Sequence, residues 1–243
     1  VRIQLGRGER HHYDPDGFHP LLQVLPSCRF HVHGPAQRTC QGYVGGPNYH
    51  YFQYDMAMVG RRQVGSTIKP FLYTLAMENG FSPCDEVRHV EYTLIDENGK
   101  PWTPRNANKK LIGDMVTVKW GLANSDNWIT AYLMSKLNPY NLKRLIHTFG
   151  VRNRDIVPSV SLCLGPCEIS VGEMVSAYTA FPNKGIRVAP LFVTRIEDND
   201  GTCWQPLLPK CRKSSVYPAL TRCWSCCVPL STKVPEAVCA VWV

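Results

Sequence analysis

A serine and a lysine three positions apart are the first residues of this chain that could carry out chemistry together. The string Ser66-Thr67-Ile68-Lys69 opens a stretch with helical spacing, and helix positions i and i+3 share one face. A serine hydroxyl is a weak nucleophile until a base removes its proton, and a partly desolvated lysine can be that base. Backbone N–H groups at the helix start could stabilise an oxyanion. The pattern is common by chance, and a solvated lysine on an amphipathic helix would also produce it.

A second polar cluster, Ser125-Asp126-Asn127, follows about 60 residues later. Such a triplet alone usually marks a turn or a helix N-cap, and we expect Asp126 to be a solvated turn residue. Together with S-x-x-K it is informative, because serine acyl-transfer enzymes use the two motifs jointly. The pair therefore indicates acyl transfer through a covalent serine intermediate.

The elements that would position these motifs follow from apolar periodicity. Helical spacing is present in five segments, 67–79, 116–122, 129–137, 141–149 and 169–181. Gly80 and Gly150 are suited to end the first and fourth of them. β-Branched residues predict a strand within 190–196, and the polar stretch 97–110 is expected to be a surface loop. Several helices with few strands indicate an α+β fold.

Further strings stand in a fixed order around the two motifs. They are 42–46, Phe52, 62–70, Trp102-Thr103-Pro104-Arg105-Asn106, 121–127, Leu164-Gly165, 170–178, Phe181, Asn183, Gly185 and Pro190. Over about 160 residues this ordered set resembles the transpeptidase domain of a class A penicillin-binding protein. The resemblance implies the α+β fold of penicillin-binding proteins and serine β-lactamases, an antiparallel sheet flanked by helices, here incomplete at both ends.

The resemblance also implies roles for individual residues. Ser66 would attack the penultimate D-Ala carbonyl of a peptidoglycan stem peptide, or a β-lactam, and its N–H would form half of the oxyanion hole. Lys69 would be the acylation base, although the identity of the base is disputed in these families. Ser125 would shuttle a proton to the leaving amine. The residues expected to bind substrate are Asn127, Trp102 and Asn106.

The resemblance implies a small set of partners and a location. The partners are stem peptides on lipid-linked or polymerised glycan, and β-lactam antibiotics; no cofactor, metal or nucleic acid is expected. The expected location is the extracytoplasmic face of the bacterial inner membrane. No run of about 18 apolar residues exists in the chain, so a membrane anchor is expected only in a full-length parent.

A third motif of the family, K-[ST]-G, is missing from this chain. The family binds the substrate carboxylate with this motif, and half of the oxyanion hole lies just beyond it. After Asn127 the nearest strings are Lys213-Ser214-Ser215 and Ser231-Thr232-Lys233, and neither has the required order. The resemblance also implies an amino-terminal glycosyltransferase domain, and we expect no counterpart of it among these 243 residues. We therefore expect the chain as given to be inactive as a transpeptidase.

Composition divides the chain into three zones. The net charge of +8 resides mostly at the two ends, and no basic stripe interleaved with aromatic residues is present, which argues against nucleic-acid binding. Of 11 cysteines, only Cys84, Cys163 and Cys167 lie within 42–201, and we expect them to be small buried or loop residues. Residues 42–201 are the predicted transpeptidase fragment. Residues 1–41 and 202–243 are predicted to be atypical flanks.

Two interpretations of the flanks are open. The tail could be a disulfide or zinc module formed by Cys223, Cys226 and Cys227 with Cys239, or by Cys203 and Cys211. The spacing of these cysteines matches no paired C-x-x-C framework. Alternatively, both flanks are translated out of frame, since codons can be chosen for 23–42 and 223–243 that read like family segments in another frame. Such proline-dense flanks would bury little against a family core. The nucleotide sequence distinguishes the two interpretations.

Two other functions fit parts of the sequence. A serine β-lactamase or a β-lactam sensor shares S-x-x-K, but the match over 164–190 favours the synthase. A non-catalytic basic or metal-binding interaction module would account for the ends and leave both motifs unexplained. His89 and His147 suggest no partner, so we expect them at the surface.

Overall fold

The structure is a computed structural model that describes residues 44–46, 48–51, 53–107, 110–193, 195–197, 203–206, 210–213, 218–220 and 223. Its helices are α1 (Lys69–Glu78), α2 (Val118–Ala123), α3 (Asn127–Lys136), α4 (Pro139–Thr148) and α5 (Val171–Tyr178). Two 3-10 turns span Gly65–Ile68 and Val160–Leu164. The strands are β1 (Arg61–Gln63), β2 (Glu86–Arg88), β3 (Leu94–Ile95), β4 (Pro101–Trp102), β5 (Met115–Thr117), β6 (Glu168–Ser170), β7 (Ile186–Val188), β8 (Arg195–Glu197), β9 (Cys203–Pro206) and β10 (Cys211–Lys213).

Helix α1 is the centre of the fold. All residues from Phe71 to Met77 are buried, because a helix that is apolar on every side must be enclosed on every side. It packs against α2, α3 and α4, and the Phe71 ring meets Phe149 edge-on at 5.1 Å between centroids. The proline at position 70 lies in the first turn, where its missing N–H has no intrahelical role. The residues at the start of α1 are therefore held on a rigid element.

The strands pair two by two. The antiparallel pairs within the described residues are β1–β6, β2–β5, β3–β4, β7–β10 and β8–β9. Helices with antiparallel strands confirm the predicted α+β class. The resemblance implies one antiparallel sheet, but the described residues form five separate two-stranded pairs instead.

Several element boundaries differ from those predicted from periodicity. The predicted helix at 116–122 begins as a strand, since Val116 pairs with Val87 of β2. The chain then turns at Thr117, whose hydroxyl caps α2 by accepting from Trp120 N at 3.1 Å. The segment 169–181 likewise starts in β6 before α5. The predicted loop 97–110 contains β4, which pairs with β3.

Part of the predicted carboxy-terminal flank packs on the central zone, whereas residues 1–41 lie outside the described residues. Strand β10 pairs with β7, and Ala219, Leu220 and Cys223 are buried in the main core. The Cys223 thiol contacts the Pro70 carbonyl at 3.4 Å. The expectation that this tail buries little is therefore wrong for these residues. The out-of-frame origin of both flanks and the boundaries at 42 and 201 stay predictions.

Within the described ranges, none of the helices has the length and apolarity to cross a bilayer. In the same ranges, the His, Cys, Asp and Glu side chains form no group of three or more arranged to hold a metal ion.

Candidate active site

A close approach of two backbone segments positions the turn that carries Ser66. After β1, Val64 N donates to Cys167 O at 3.1 Å and Gly65 N donates to Gly165 O at 2.9 Å. Gly165 has φ +71°, and a Cβ added there would lie 2.1 Å from the Gly65 carbonyl oxygen. Only glycine tolerates both the conformation and the contact. The turn that carries Ser66 is thus fixed against a segment 100 residues away in sequence.

Ser66 itself is exposed in the 3-10 turn Gly65–Ile68, which leads directly into α1. The turn around it is held from behind, because Thr67 Oγ1 donates to Val64 O at 2.7 Å and Tyr178 Oη donates to Thr67 O at 2.6 Å. Among the described residues, none accepts from or donates to the Ser66 hydroxyl. Its oxygen is therefore accessible to a substrate carbonyl.

Lys69 is buried directly beneath this turn, with 1% of its surface exposed. Its Nζ donates to Ser125 O at 2.6 Å, to Ser125 Oγ at 3.1 Å and to Asn127 Oδ1 at 2.7 Å. Burial lowers the pKa of Lys69 from 10.5 to about 8, and the nearby Asp126 carboxylate opposes this shift. A lysine in this setting can release its proton near neutral pH.

The Ser125-Asp126-Asn127 motif forms the tight turn between α2 and α3. Ser125 has φ +51°, an uncommon and costly conformation for a residue with a side chain. The turn is closed by Ser125 N donating to Leu122 O and Asp126 N donating to Gly121 O, at 3.0 and 2.8 Å. This conformation brings the carbonyl and hydroxyl of Ser125 to the same lysine.

One cleft of about 500 Å³ joins the two motifs. Its lining residues are Ser66, Asn106, Ala107, Lys110, Asn124, Ser125 and Asn127. Four of the six site residues predicted from the sequence therefore line the cleft, namely Ser66, Asn106, Ser125 and Asn127. Lys69 lies beneath it and contacts Ser125 and Asn127. Trp102 lies on β4, half-buried against the core and outside this lining set.

The two asparagines of the cleft already bind protein groups. Asn127 Nδ2 donates to Arg105 O at 2.7 Å while its Oδ1 accepts from Lys69. Asn106 Oδ1 accepts from Asn127 N at 3.3 Å. Both side chains therefore help to shape the turn, and a substrate amide would have to share or exchange these bonds.

Two residues beside the cleft differ from the sequence-based expectation. Asp126, expected to be solvated, and His89, expected at the surface, both have 0% exposure and contact each other, with His89 Nε2 2.9 Å from Asp126 Oδ2. The expectation of a solvated turn failed because Asp126 is the N-cap of α3 and faces the protein interior. Position 89 carries no sequence signal, since its partner is 37 residues away.

The two buried cysteines near the Ser66 turn have thiols with raised pKa values. Cys163 is fully buried, and burial raises the pKa of its thiol to about 12. Cys167 is also buried, and burial raises its pKa to about 11. Such thiols stay protonated and unreactive. Cys84 is exposed.

Comparison with known proteins identifies the family. The sequence model of the penicillin-binding protein transpeptidase domain matches residues 32–218. This chain belongs to that family. The penicillin-binding protein 1A of Neisseria meningitidis serogroup A is 31% identical over 160 residues, which cover 65% of this chain and 20% of that protein. The protein of the same name from Pseudomonas aeruginosa is 29% identical over 168 residues, covering 69% and 20%.

Solved structures of family members share the fold. The crystal structure of penicillin-binding protein 1A from Haemophilus influenzae has a TM-score of 0.66 and 27% identity, over 72% of this chain and 26% of that one. The penicillin-binding protein PonA1 from Mycobacterium tuberculosis, solved in complex with penicillin V, has a TM-score of 0.60 and 24% identity, over 71% of this chain and 47% of that one. The chain spans about a fifth of the length of the curated relatives it matches. The family and fold class predicted from the sequence are confirmed.

Proposed function

We propose that this chain carries the acylation site of a serine D,D-transpeptidase, in which Ser66 forms an acyl-enzyme with D-Ala-D-Ala stem peptides of peptidoglycan or with β-lactams. The observation that carries the proposal is Lys69, which is buried, has a lowered pKa and is bonded to Ser125 and Asn127 in the cleft that exposes Ser66. A solvated lysine on an amphipathic helix would show none of these features.

Each proton in the acylation step has a carrier. Neutral Lys69 accepts the Ser66 proton as Oγ attacks the substrate carbonyl and forms a tetrahedral oxyanion. The proton then passes through Ser125 to the leaving nitrogen, and the C–N bond breaks. D-Ala departs from a stem peptide, whereas the amine of an opened β-lactam stays attached. The amine of a second stem would complete transfer by attacking the ester.

The missing third motif limits the expected reaction. No K-[ST]-G string follows Asn127 in these 243 residues, so the group that would bind the substrate carboxylate is not among them. We expect acylation of this chain to be slow and transfer to an acceptor amine not to occur. A wider role in peptidoglycan synthesis outside the cytoplasmic membrane is proposed for the parent protein on the basis of its family.

The proposal is tested by intact-mass spectrometry after long incubation with a penicillin. We expect one covalent adduct on the wild-type chain, its loss in Ser66→Ala, and its retention in Ser135→Ala, which changes an exposed serine of α3. The absence of an adduct on a folded wild-type chain would contradict the proposal. An adduct that disappears with turnover of penicillin would instead favour the β-lactamase alternative.

The rate of acylation should rise with pH through a midpoint near 8. Only the neutral amine of Lys69 can accept the Ser66 proton, and its pKa is lowered to about 8. Below this pH the neutral fraction, and with it the rate, falls about tenfold per unit. Adduct formation measured from pH 6 to 10 would show this, after correction for the free penicillin hydrolysed at each pH. A flat profile would exclude Lys69 as the base.

A further inference from the structure

A buried histidine lies beneath the Ser125–Asn127 turn and has no role in the mechanism above. The His89 ring is fully buried and stands between two indoles, with centroids 5.2 Å from Trp120 and 5.0 Å from Trp128. The backbone N–H and carbonyl of His89 are both hydrogen-bonded. His89 N donates to Asp114 O at 2.9 Å, and His89 O accepts from Gly113 N at 2.9 Å. The ring is therefore held in one place and excluded from water.

Both nitrogens of this ring lie close to oxygen acceptors. Nδ1 lies 3.2 Å from Leu111 O, and Nε2 lies 2.9 Å from Asp126 Oδ2. Nε2 also lies 3.2 Å from Asn106 Nδ2, which makes its shorter bond, 2.7 Å, to Asp126 Oδ2. A carbonyl and a carboxylate can only accept, so the contacts with both oxygens are hydrogen bonds only when both nitrogens carry hydrogen. Either neutral tautomer would direct a lone pair at an oxygen, and only the longer contact with Asn106 would compensate for this at Nε2.

The Asp126 carboxyl group accepts three hydrogen bonds and lies within hydrogen-bond distance of His89. Oδ1 accepts from Trp128 N at 2.9 Å and Ile129 N at 3.0 Å. Oδ2 accepts from Asn106 Nδ2 at 2.7 Å and lies 2.9 Å from His89 Nε2. Acceptance at both oxygens fits the ionised carboxylate. Burial of a negative charge is costly, and a buried positive partner would offset part of that cost.

We propose that His89 is a positioning residue of the acylation site, which pairs as an imidazolium with Asp126 and so prevents this carboxylate from acting as the full counter-ion of Lys69. The inference rests on the proposed function. Under this proposal Asp126 has a second role besides capping α3. His89, which lies outside both motifs, acquires a role in the acylation site.

The charges around Lys69 explain why this pairing matters. Two titratable groups near it are Asp126 and the Cys163 thiol, and each would favour the protonated lysine in its own charged form. The pKa of this thiol is raised to about 12, so it carries no charge at the working pH. Asp126 is therefore the negative charge that could hold the ammonium, and the imidazolium compensates it. Burial can then drive Lys69 towards the neutral amine.

The proposal predicts shifts of opposite sign in two variants. In His89→Gln the carboxylate loses its cationic partner, so the pKa of Lys69 should rise by about 0.5 to 1 unit. In Asp126→Asn the negative charge is removed, so the pKa of Lys69 should fall by a similar amount. Because the acylation rate follows the neutral fraction of Lys69, the rate measured below the midpoint should fall about 3- to 10-fold in His89→Gln. It should rise by a similar factor in Asp126→Asn. His147→Gln, on α4 with its ring against Val151 O, should change neither.

The lysine titration is measured directly by NMR on protein labelled at the lysine ε-carbon, with Lys69→Arg to assign the signal. Nitrogen-15 spectra of the wild-type chain should show both His89 nitrogens protonated, which tests the pairing even where a variant fails to fold. Shifts of the same sign in both variants, no shift in either, or a neutral His89 would overturn the inference. Failure of the proposed function is separate, because it appears as the absence of a penicillin adduct and leaves these NMR results intact.

Discussion

Replacing Lys69 by methionine should lower the rate of Ser66 acylation by about 10²- to 10⁴-fold, the range usual for loss of a general base. The change keeps the length of the side chain and removes the Nζ that contacts Ser125 and Asn127. Among the described residues next to Lys69, Cys163 cannot replace it because its thiol stays protonated, and Asp126 cannot because its oxygens already accept hydrogen bonds. Adduct formation followed by intact mass over time measures the effect.

Lys100→Met is the matched control for this variant, because Lys100 is exposed in the turn between β3 and β4. It should acylate at the wild-type rate. A Lys69→Met variant that acylates within tenfold of wild type would contradict the role of Lys69 as the base.

The same substitution should change how stability depends on pH. Since the pKa of Lys69 is lowered from 10.5 to about 8 in the folded chain, the unfolded chain holds more protons between these values. The free energy of unfolding of the wild type should therefore rise across this window, by roughly 3 kcal/mol from this residue. The contribution is lost as the pH falls through 8. Denaturant unfolding at pH 7 and 10 should show a smaller difference in Lys69→Met.

Replacing Gly165 by alanine should lower the free energy of unfolding by about 3 kcal/mol or more. The new Cβ would lie 2.1 Å from the Gly65 carbonyl oxygen, and the residue has φ +71°. Because both atoms in conflict belong to well-packed structure, the Ser66 turn must move. A displacement of about 1 Å at the nucleophile can lower the acylation rate about 10²-fold, so we expect loss of both stability and adduct.

Gly80→Ala is a control that shows the effect of positive φ without the steric contact that a Cβ would make at Gly165. Gly80 also has positive φ, +98°, but a Cβ there would meet nothing within 4 Å. We expect a loss of about 1–2 kcal/mol in unfolding free energy from conformation alone, and an unchanged acylation rate. Equal effects of the two substitutions on acylation would show that the Gly65–Gly165 contact does not position Ser66.

Local sequence was sufficient to predict most of the helices. The regions predicted as 67–79, 129–137 and 141–149 correspond to α1, α3 and α4 to within a few residues, because helical periodicity and capping are short-range properties. The wrong predictions concern strands. Periodicity predicts a helix at Val116, but this residue belongs to β5 and pairs with Val87 of β2. Such pairing depends on residues distant in sequence, so a local pattern does not predict it.

The sequence by itself determined the two motifs, their order and the family, because each motif is a run of adjacent residues. Only the tertiary structure decided that Lys69 is buried against Ser125 and Asn127, and that Trp102 packs on the core. It also decided that His89 and Asp126 contact each other in the interior. Burial lowers the pKa of a lysine and pairs a histidine with a carboxylate only after distant segments have met, and no local pattern records that encounter.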